Sequence, residues 1–306
     1  MPLVVCDTKQ PMTLDAAQHR SGKGAGDENF PVASWLVAPP YRRPIMAFYE
    51  FVRIADDIAD HPTLSETDKL GHLDRLEASL LGRDDHNAAG IVLRAALAER
   101  NLSPQHAQDL LKAFRQDVTK HRYADWDELI DYCRYSAMPV GRFVLDVHGE
   151  SRSTWPASDN ICAVLQIINH LQDCGKDYRA LNRVYIPQDS LAANGAVTEA
   201  LSASASSPEL LVCLHQLAKR TEEYLDARPP LADEVADTRL ACEVAVIGSL
   251  AHRLLALLKQ RDPLADKVHL GRGALIATMT GAVTRTLVRR LVPRAASQRR
   301  PQDLRS

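Results

Sequence analysis

The sequence predicts an all-α fold in a single domain, and three observations carry that expectation. Apolar residues recur at three- and four-residue spacing in segment after segment, the period of an amphipathic helix. Alternating runs of β-branched residues bounded by tight turns, which would mark strands, hardly occur. The 306 residues show no internal repeat, and their one low-complexity stretch, between Leu201 and Ser207, is too short to separate domains.

The helices are read in order. Pro44 stands in a first turn, and the following IMAFYEFVRIADDIAD is a long, largely buried helix ending near His61 and Pro62. Ser65, with Asp68 three residues on, has the form of a helix start, and Gly82 closes the segment KLGHLDRLEASLLG. Further helices are expected over 91–99, 104–120, 126–137, 140–148, 158–171, 208–227, 238–259 and 273–291. Loops fall at 149–156, at 182–204 and around Arg228, Pro229 and Pro230. The chain then divides into a flexible segment over 1–25, a helical domain over 26–292 and a basic disordered tail over 293–306.

Composition narrows the class. With 45% hydrophobic and 25% charged residues the chain is an ordinary globular protein, and a net charge of -2 gives no support for nucleic-acid binding. From Arg285 onward there are seven arginines and one acid, Asp303, so this end is either a solvated tail or a segment drawn to anionic lipid head groups. Cys6, Cys133, Cys162, Cys174, Cys213 and Cys242 lack metal-ligand spacing and read as reduced thiols. MPLVVCDTKQPMT lacks the form of a signal peptide, and no uncharged apolar run reaches about 18 residues. A cytoplasmic protein follows, with contact at the inner face of the plasma membrane through the basic tail as the extension of that reading.

The chemistry lies in the acids. Asp56 and Asp60 share a face of an otherwise apolar helix, where like charges four residues apart cost about 0.2–0.5 kcal/mol. Arg53, one turn earlier, offsets some of that charge. Read alone, the cluster is equally a solvated helix end braced by an Arg53–Asp56 or Arg53–Asp57 pair. A second stripe tips the balance. Gln166, Asn169, Gln172, Asp173 and Asp177 follow one face of LQIINHLQDCGKD for three turns. Two helices each carrying Asp-x-x-x-Asp suit a site where magnesium ions bridge carboxylates to a diphosphate. EF-hand, dinuclear-iron, Walker and dinucleotide patterns are all missing.

These residues resemble a known family. DDIAD after an aromatic-rich helix, with YCRYSAMPVGR and QIINHLQDCGKDY before RVYIP, is similar to the squalene/phytoene synthases from about Glu28 to Pro187, and ENFPVAS, SAMPVGR and NHLQD are similar to its hydroxysqualene-forming branch. The resemblance implies an isoprenoid synthase bundle of helices around a central cavity. It also implies two or three magnesium ions held by Asp56, Asp60, Asp173 and Asp177. By the same resemblance, Arg53 contacts diphosphate, Asn29 and Phe30 form a flap-side pair, Tyr132 serves the rearrangement, and Gln166 and Asn169 lead into the second motif. Asp117 matches a position near the cavity, with a surface salt bridge as the other reading.

Two departures refine the expectation. Ser136-Ala-Met-Pro-Val-Gly141 stands where relatives carry Val-Ala-Gly-Thr-Val-Gly, with Pro139 expected to kink the helix, and Gln172 replaces an arginine. Losing that cation favours a substrate with one diphosphate over condensation of two. The expected activity is that of a carbon–oxygen lyase: loss of diphosphate from presqualene diphosphate, assisted by Arg53 and Lys176, and quenching of the cation by water without nicotinamide. Tyr132, Ser136 and Asn169 would position the water. Phe48, Tyr49, Phe51, Tyr132, Tyr135 and Phe143 are candidates for an aromatic wall, with core packing as the plainer reading. His170 reads as a buried, hydrogen-bonded histidine. Two alternatives remain: a prenyltransferase condensing two prenyl diphosphates, and a non-catalytic lipid-binding or assembly factor. Enzymes that supply the substrate and consume the product are the expected partners.

Overall fold

The computed structural model describes residues 37–291, and among them all regular structure is helical apart from one parallel bridge between Arg122 and Val184. The elements are α1 (Pro39–Ala59), α2 (Glu66–Leu80), α3 (Ala88–Ala98), α4 (Gln105–Thr119), α5 (Trp126–Ser136), α6 (Met138–His148), α7 (Trp155–Leu181), α8 (Gln188–Ala193), α9 (Pro208–Asp226), α10 (Leu231–Glu234), α11 (Thr238–Leu258) and α12 (Arg272–Leu291). Single 3-10 turns cover Arg152–Thr154 and Thr198–Ser202. The boundaries expected at residues 25 and 292, the flap-side pair Asn29 and Phe30, and the basic tail all lie outside the described residues.

Side-chain capping explains five of the twelve helix starts among the described residues. Side chains of Ser65, Asn87, Asp125, Ser207 and Asp237 each accept a backbone N–H of the first turn they open, and each such cap stabilises by about 1 kcal/mol.

Several boundaries differ from expectation. α1 opens at Pro39 and Pro40, so Pro44 lies inside the helix. Pro44 has no N–H to offer the Pro40 carbonyl, and the Arg100 guanidinium bonds that carbonyl in its place. Pro139 kinks nothing: Ala137, at φ -131° and ψ -46°, already separates α5 from α6, and Pro139 occupies the first turn of the new helix. α7 runs ten residues past the expected end at 171. Gly175 inside it leaves room for the Leu264 side chain and the Leu201 carbonyl, which a Cβ would meet. The segment expected to be one loop over 182–204 contains α8 and a 3-10 turn, both built on short polar sequences too brief to show a period.

The core has two principal halves. One gathers α1 to α4 with Phe143 and Val147 of α6 around Phe51, Leu73, Leu93 and Leu111. The other gathers α5, α7, α9 and α11 around Val164, Ile168, Cys213 and Leu255. Burying a leucine, isoleucine or phenylalanine in either contributes about 1.5–3 kcal/mol. α6 joins the halves, packing on both α1 and α7, and at Gly141 the contact is so close that a Cβ would meet Ser158 Oγ and Cys162 Sγ. α11 has the length and apolarity of a membrane span, but half of its most apolar stretch is buried inside the protein. It is a core helix. The five cysteines among the described residues are free thiols.

Candidate active site

On α1, Tyr49, Arg53, Asp56 and Asp60 recur at four-, three- and four-residue intervals and stay partly open, while Phe48, Phe51, Ile54 and Ile58 are buried. The Arg53 guanidinium donates to Asp56 Oδ2 at 3.0 Å and to Asp57 Oδ1 at 2.8 Å. Both pairings weighed from the sequence are therefore made at once. Asp57 is a buried structural partner, whereas Asp56 keeps 38% of its side chain exposed. Burial, and next the charge of Asp60, push the Asp56 carboxyl up to about 7.

On α7, Gln166, Asn169, Gln172, Asp173 and Asp177 are all half-buried along one side of the helix. Lys176 lies 3.4 Å from Asp173 and is largely exposed. Asp177 is pushed up to about 7, first by burial, then by Asp173, with a further contribution from Asp60 on the other motif. Asp60 thus acts on Asp177 as well as on Asp56, although α1 and α7 belong to different halves of the core. Gln172 is committed elsewhere: its Nε2 donates to the Val268 carbonyl at 2.6 Å, fastening α7 to the connection before α12.

Arg183 was not singled out from the sequence. α7 ends on Asn182 in the left-handed conformation, and the chain then runs extended beside residues 121–124, with Val184 N donating to the His121 carbonyl at 2.9 Å. Two-residue alternation in that segment turns Arg183 and Tyr185 the same way. Arg183 Nη1 donates to Asp60 Oδ1 at 2.9 Å, and Nη2 donates to the Asp117 carbonyl at 3.0 Å. The Asp117 carboxylate in turn accepts the Tyr132 hydroxyl at 2.8 Å and the Tyr185 hydroxyl at 3.0 Å. Asp117 is only 5% exposed, which excludes the surface salt bridge. Burial pushes it up to about 6 against the pull of Arg183 and Tyr132. The family resemblance points to Asp117 and Tyr132, whereas for Arg183 and Tyr185 the only sequence signal is the alternation within RVYIP.

Other expected residues fall into place individually. Tyr132 is 3% exposed and belongs to the buried network. Ser136 Oγ is buried without a hydrogen-bond partner among the described residues. Phe48 stacks on Phe143 with centroids 3.9 Å apart, and Phe51 is fully buried, so these three are core residues and not a cavity wall. Tyr135 is partly open, with Lys112 Nζ 5.3 Å from its ring centroid. His170 is buried and stacked on Tyr185, but its Nε2 has no hydrogen-bond partner among the described residues, contrary to the bonded histidine expected. Among the described residues no three ligating side chains converge tightly enough to hold a metal by themselves.

Comparison with known proteins places this geometry in context. Residues 24–274 match the squalene/phytoene synthase family. The chain is 58% identical to the hydroxysqualene synthase of Rhodopseudomonas palustris, over 90% of this chain and 94% of that one. It is 55% identical to the hydroxysqualene synthase of Sinorhizobium fredii, over 86% and 90% of the two chains. Among solved structures, a squalene synthase from Alicyclobacillus acidocaldarius superposes with a TM-score of 0.67 at 30% identity, covering 75% of this chain and 87% of the other.

Proposed function

The chain belongs to the squalene/phytoene synthase family, and on that premise we propose that it is a hydroxysqualene synthase. It would ionise presqualene diphosphate, let the cyclopropylcarbinyl cation rearrange, and quench it with water to release hydroxysqualene and diphosphate. The observation that carries this reading is the 58% identity, over 90% of the chain, to a protein of that name.

The aspartates fit magnesium. Asp56 and Asp177 are both driven up to about 7, first by burial and then by neighbouring carboxylates, which outweigh the opposing pull of Arg53 and Lys176. Asp56, Asp60, Asp173 and Asp177 would hold the ion through carboxylate oxygens, the ligand type that magnesium prefers. Magnesium bound there supplies Lewis-acid stabilisation of the leaving diphosphate.

The chain's own groups do the rest. Arg53 braces Asp56 and presents its charge to the same face, and Lys176, exposed beside Asp173, reaches toward the diphosphate. Ser136 and Asn169 position the quenching water, and the Tyr132–Asp117–Tyr185 network holds the tyrosine hydroxyls still. Gln172, engaged with the Val268 carbonyl in place of a cation, leaves the site suited to one diphosphate.

The test is product analysis. Purified protein with magnesium should convert presqualene diphosphate to hydroxysqualene at a rate indifferent to reduced nicotinamide, and should leave farnesyl diphosphate untouched. Consumption of farnesyl diphosphate alone would assign a condensing prenyltransferase, and consumption of neither would overturn the reading.

A further inference from the structure

His170 stands on the same face of α7 as the second aspartate pair. It follows Gln166 by four residues and precedes Asp173 by three, the spacing that stacks side chains along one side of a helix. At ~1.5 Å per residue it lies about 4.5 Å along the helix from Asp173, on the turns that carry the buried Ile167 and Ile168. Opposite it, Tyr132 and Ser136 share one face of α5 by the same spacing, and the ring centroids of Tyr132 and His170 are 6.0 Å apart.

Two buried polar atoms on these facing stripes are unsatisfied. Ser136 Oγ and His170 Nε2 each lack a hydrogen-bond partner among the described residues. The two tyrosines packed on His170 cannot serve it, because both of their hydroxyls donate to the Asp117 carboxylate. The imidazole is held all the same, stacked on Tyr185 with centroids 3.5 Å apart. A buried acceptor without a donor costs stability, and a phenylalanine could make the same stack without that cost. The free nitrogen therefore points to a donor that arrives with the reaction. On the reading that a carbocation is quenched by water, such a donor exists. Capture leaves an alkyl oxonium, which reverts to cation and water unless its extra proton is removed.

We propose that His170 Nε2 accepts the proton of the quenching water, a role that rests on the hydroxysqualene reading. The water oxygen gives an electron pair to the cationic carbon, and the C–O bond forms. One O–H bond of the oxonium then breaks, its electron pair stays on oxygen, and the proton moves to Nε2. The imidazolium passes that proton to the released diphosphate, a stronger base. Ser136 Oγ, the other unsatisfied atom, steadies the water for attack. Burial and the charge of Arg183 push His170 down to about 3, so the ring meets the water neutral. An alkyl oxonium is acid enough to protonate even so weak a base.

Turnover of presqualene diphosphate with magnesium, counting both diphosphate and organic products, tests it. The wild type should form one hydroxysqualene for each diphosphate released. His170→Phe, which keeps the stack, should lower that ratio at least about tenfold, with the balance appearing as hydrocarbons formed by proton loss from carbon. Imidazole added to His170→Ala should raise the ratio again, a response that a merely structural role would not give. The proposal is overturned if His170→Phe releases diphosphate and keeps the wild-type ratio, which would give the proton to diphosphate or bulk water directly. Where His170→Phe is inactive, it is overturned by a His170→Ala whose ratio is unchanged or does not respond to imidazole. A wild type that releases diphosphate and forms no hydroxysqualene would overturn the hydroxysqualene reading and this role with it.

Discussion

Arg183 Nη1 stands 2.9 Å from Asp60 Oδ1 while Nη2 of the same guanidinium donates to the Asp117 carbonyl at 3.0 Å, so one side chain ties the end of α1 to the end of α4. Arg183 is 7% exposed and Asp60 39%, so solvent reaches the pairing from the carboxylate side only. Breaking a charge-assisted contact of this kind leaves its partners short of a donor. Arg183→Gln should lower the free energy of unfolding by about 3 kcal/mol, read as a lower urea midpoint at unchanged slope. Arg183→Lys should recover only a fraction of it, because an ammonium cannot span both acceptors as a planar fork does.

The aspartate pairs give a second prediction with a readout besides turnover. Magnesium with inorganic diphosphate should raise the melting temperature of the wild type, because a ligand that binds only the folded state stabilises it by mass action. Asp56→Asn and Asp177→Asn should each abolish that shift and lower turnover by at least about 100-fold. Chelation by EDTA should stop the wild type, and added magnesium should restore it. A full thermal shift in either variant would remove that aspartate from the metal site.

How much of the fold and site is legible in the sequence follows from what each feature looks like in one dimension. Asp56, Asp60, Asp173 and Asp177 can be found because helical spacing repeats, and a repeat is visible without neighbours. The starts at Ser65 and Pro208 are legible for the same local reason. Arg183, Asp117 and Tyr185 are not assembled that way, since their meeting depends on a left-handed residue at Asn182 and on extended chain running beside 121–124. Phe48, Phe51 and Phe143 suggest a cavity wall because aromatic residues near an acidic motif look alike whether they face a ligand or each other. Pro44 misleads because a proline normally starts a helix, and only Arg100, far along the chain, makes an interior one tolerable here.

Packing between α6 and α7 supplies a third prediction. A methyl group at Gly141 would meet Ser158 Oγ and Cys162 Sγ, both held on the facing turn of α7. Gly141→Ala should therefore destabilise by about 1–3 kcal/mol despite alanine's better helix propensity. The same substitution in a Ser158→Ala, Cys162→Ala background should cost much less, because the two obstructing atoms are gone. Equal costs in both backgrounds, measured by urea unfolding, would mean the close approach is not what limits this position.

His170 gives the fourth. The ring is 7% exposed and stacks on Tyr185 with centroids 3.5 Å apart. Burial, reinforced by the charge of Arg183, pushes it down to about 3. In the unfolded chain the same group titrates near its ordinary value of about 6.5. Below that pH the unfolded state takes up a proton that the folded state refuses. The stability His170 contributes is thus complete above pH 6.5 and is lost as pH falls toward 3, by about 2–3 kcal/mol at pH 4.5. Asp56, Asp117 and Asp177 are shifted the opposite way, favouring the folded state in acid, but they are common to both proteins when wild type is compared with His170→Phe. The phenylalanine can keep the stack and cannot titrate. Its free energy of unfolding should therefore fall less steeply than that of the wild type between pH 6.5 and 4.5, and parallel curves would mean that His170 is protonated in the folded protein.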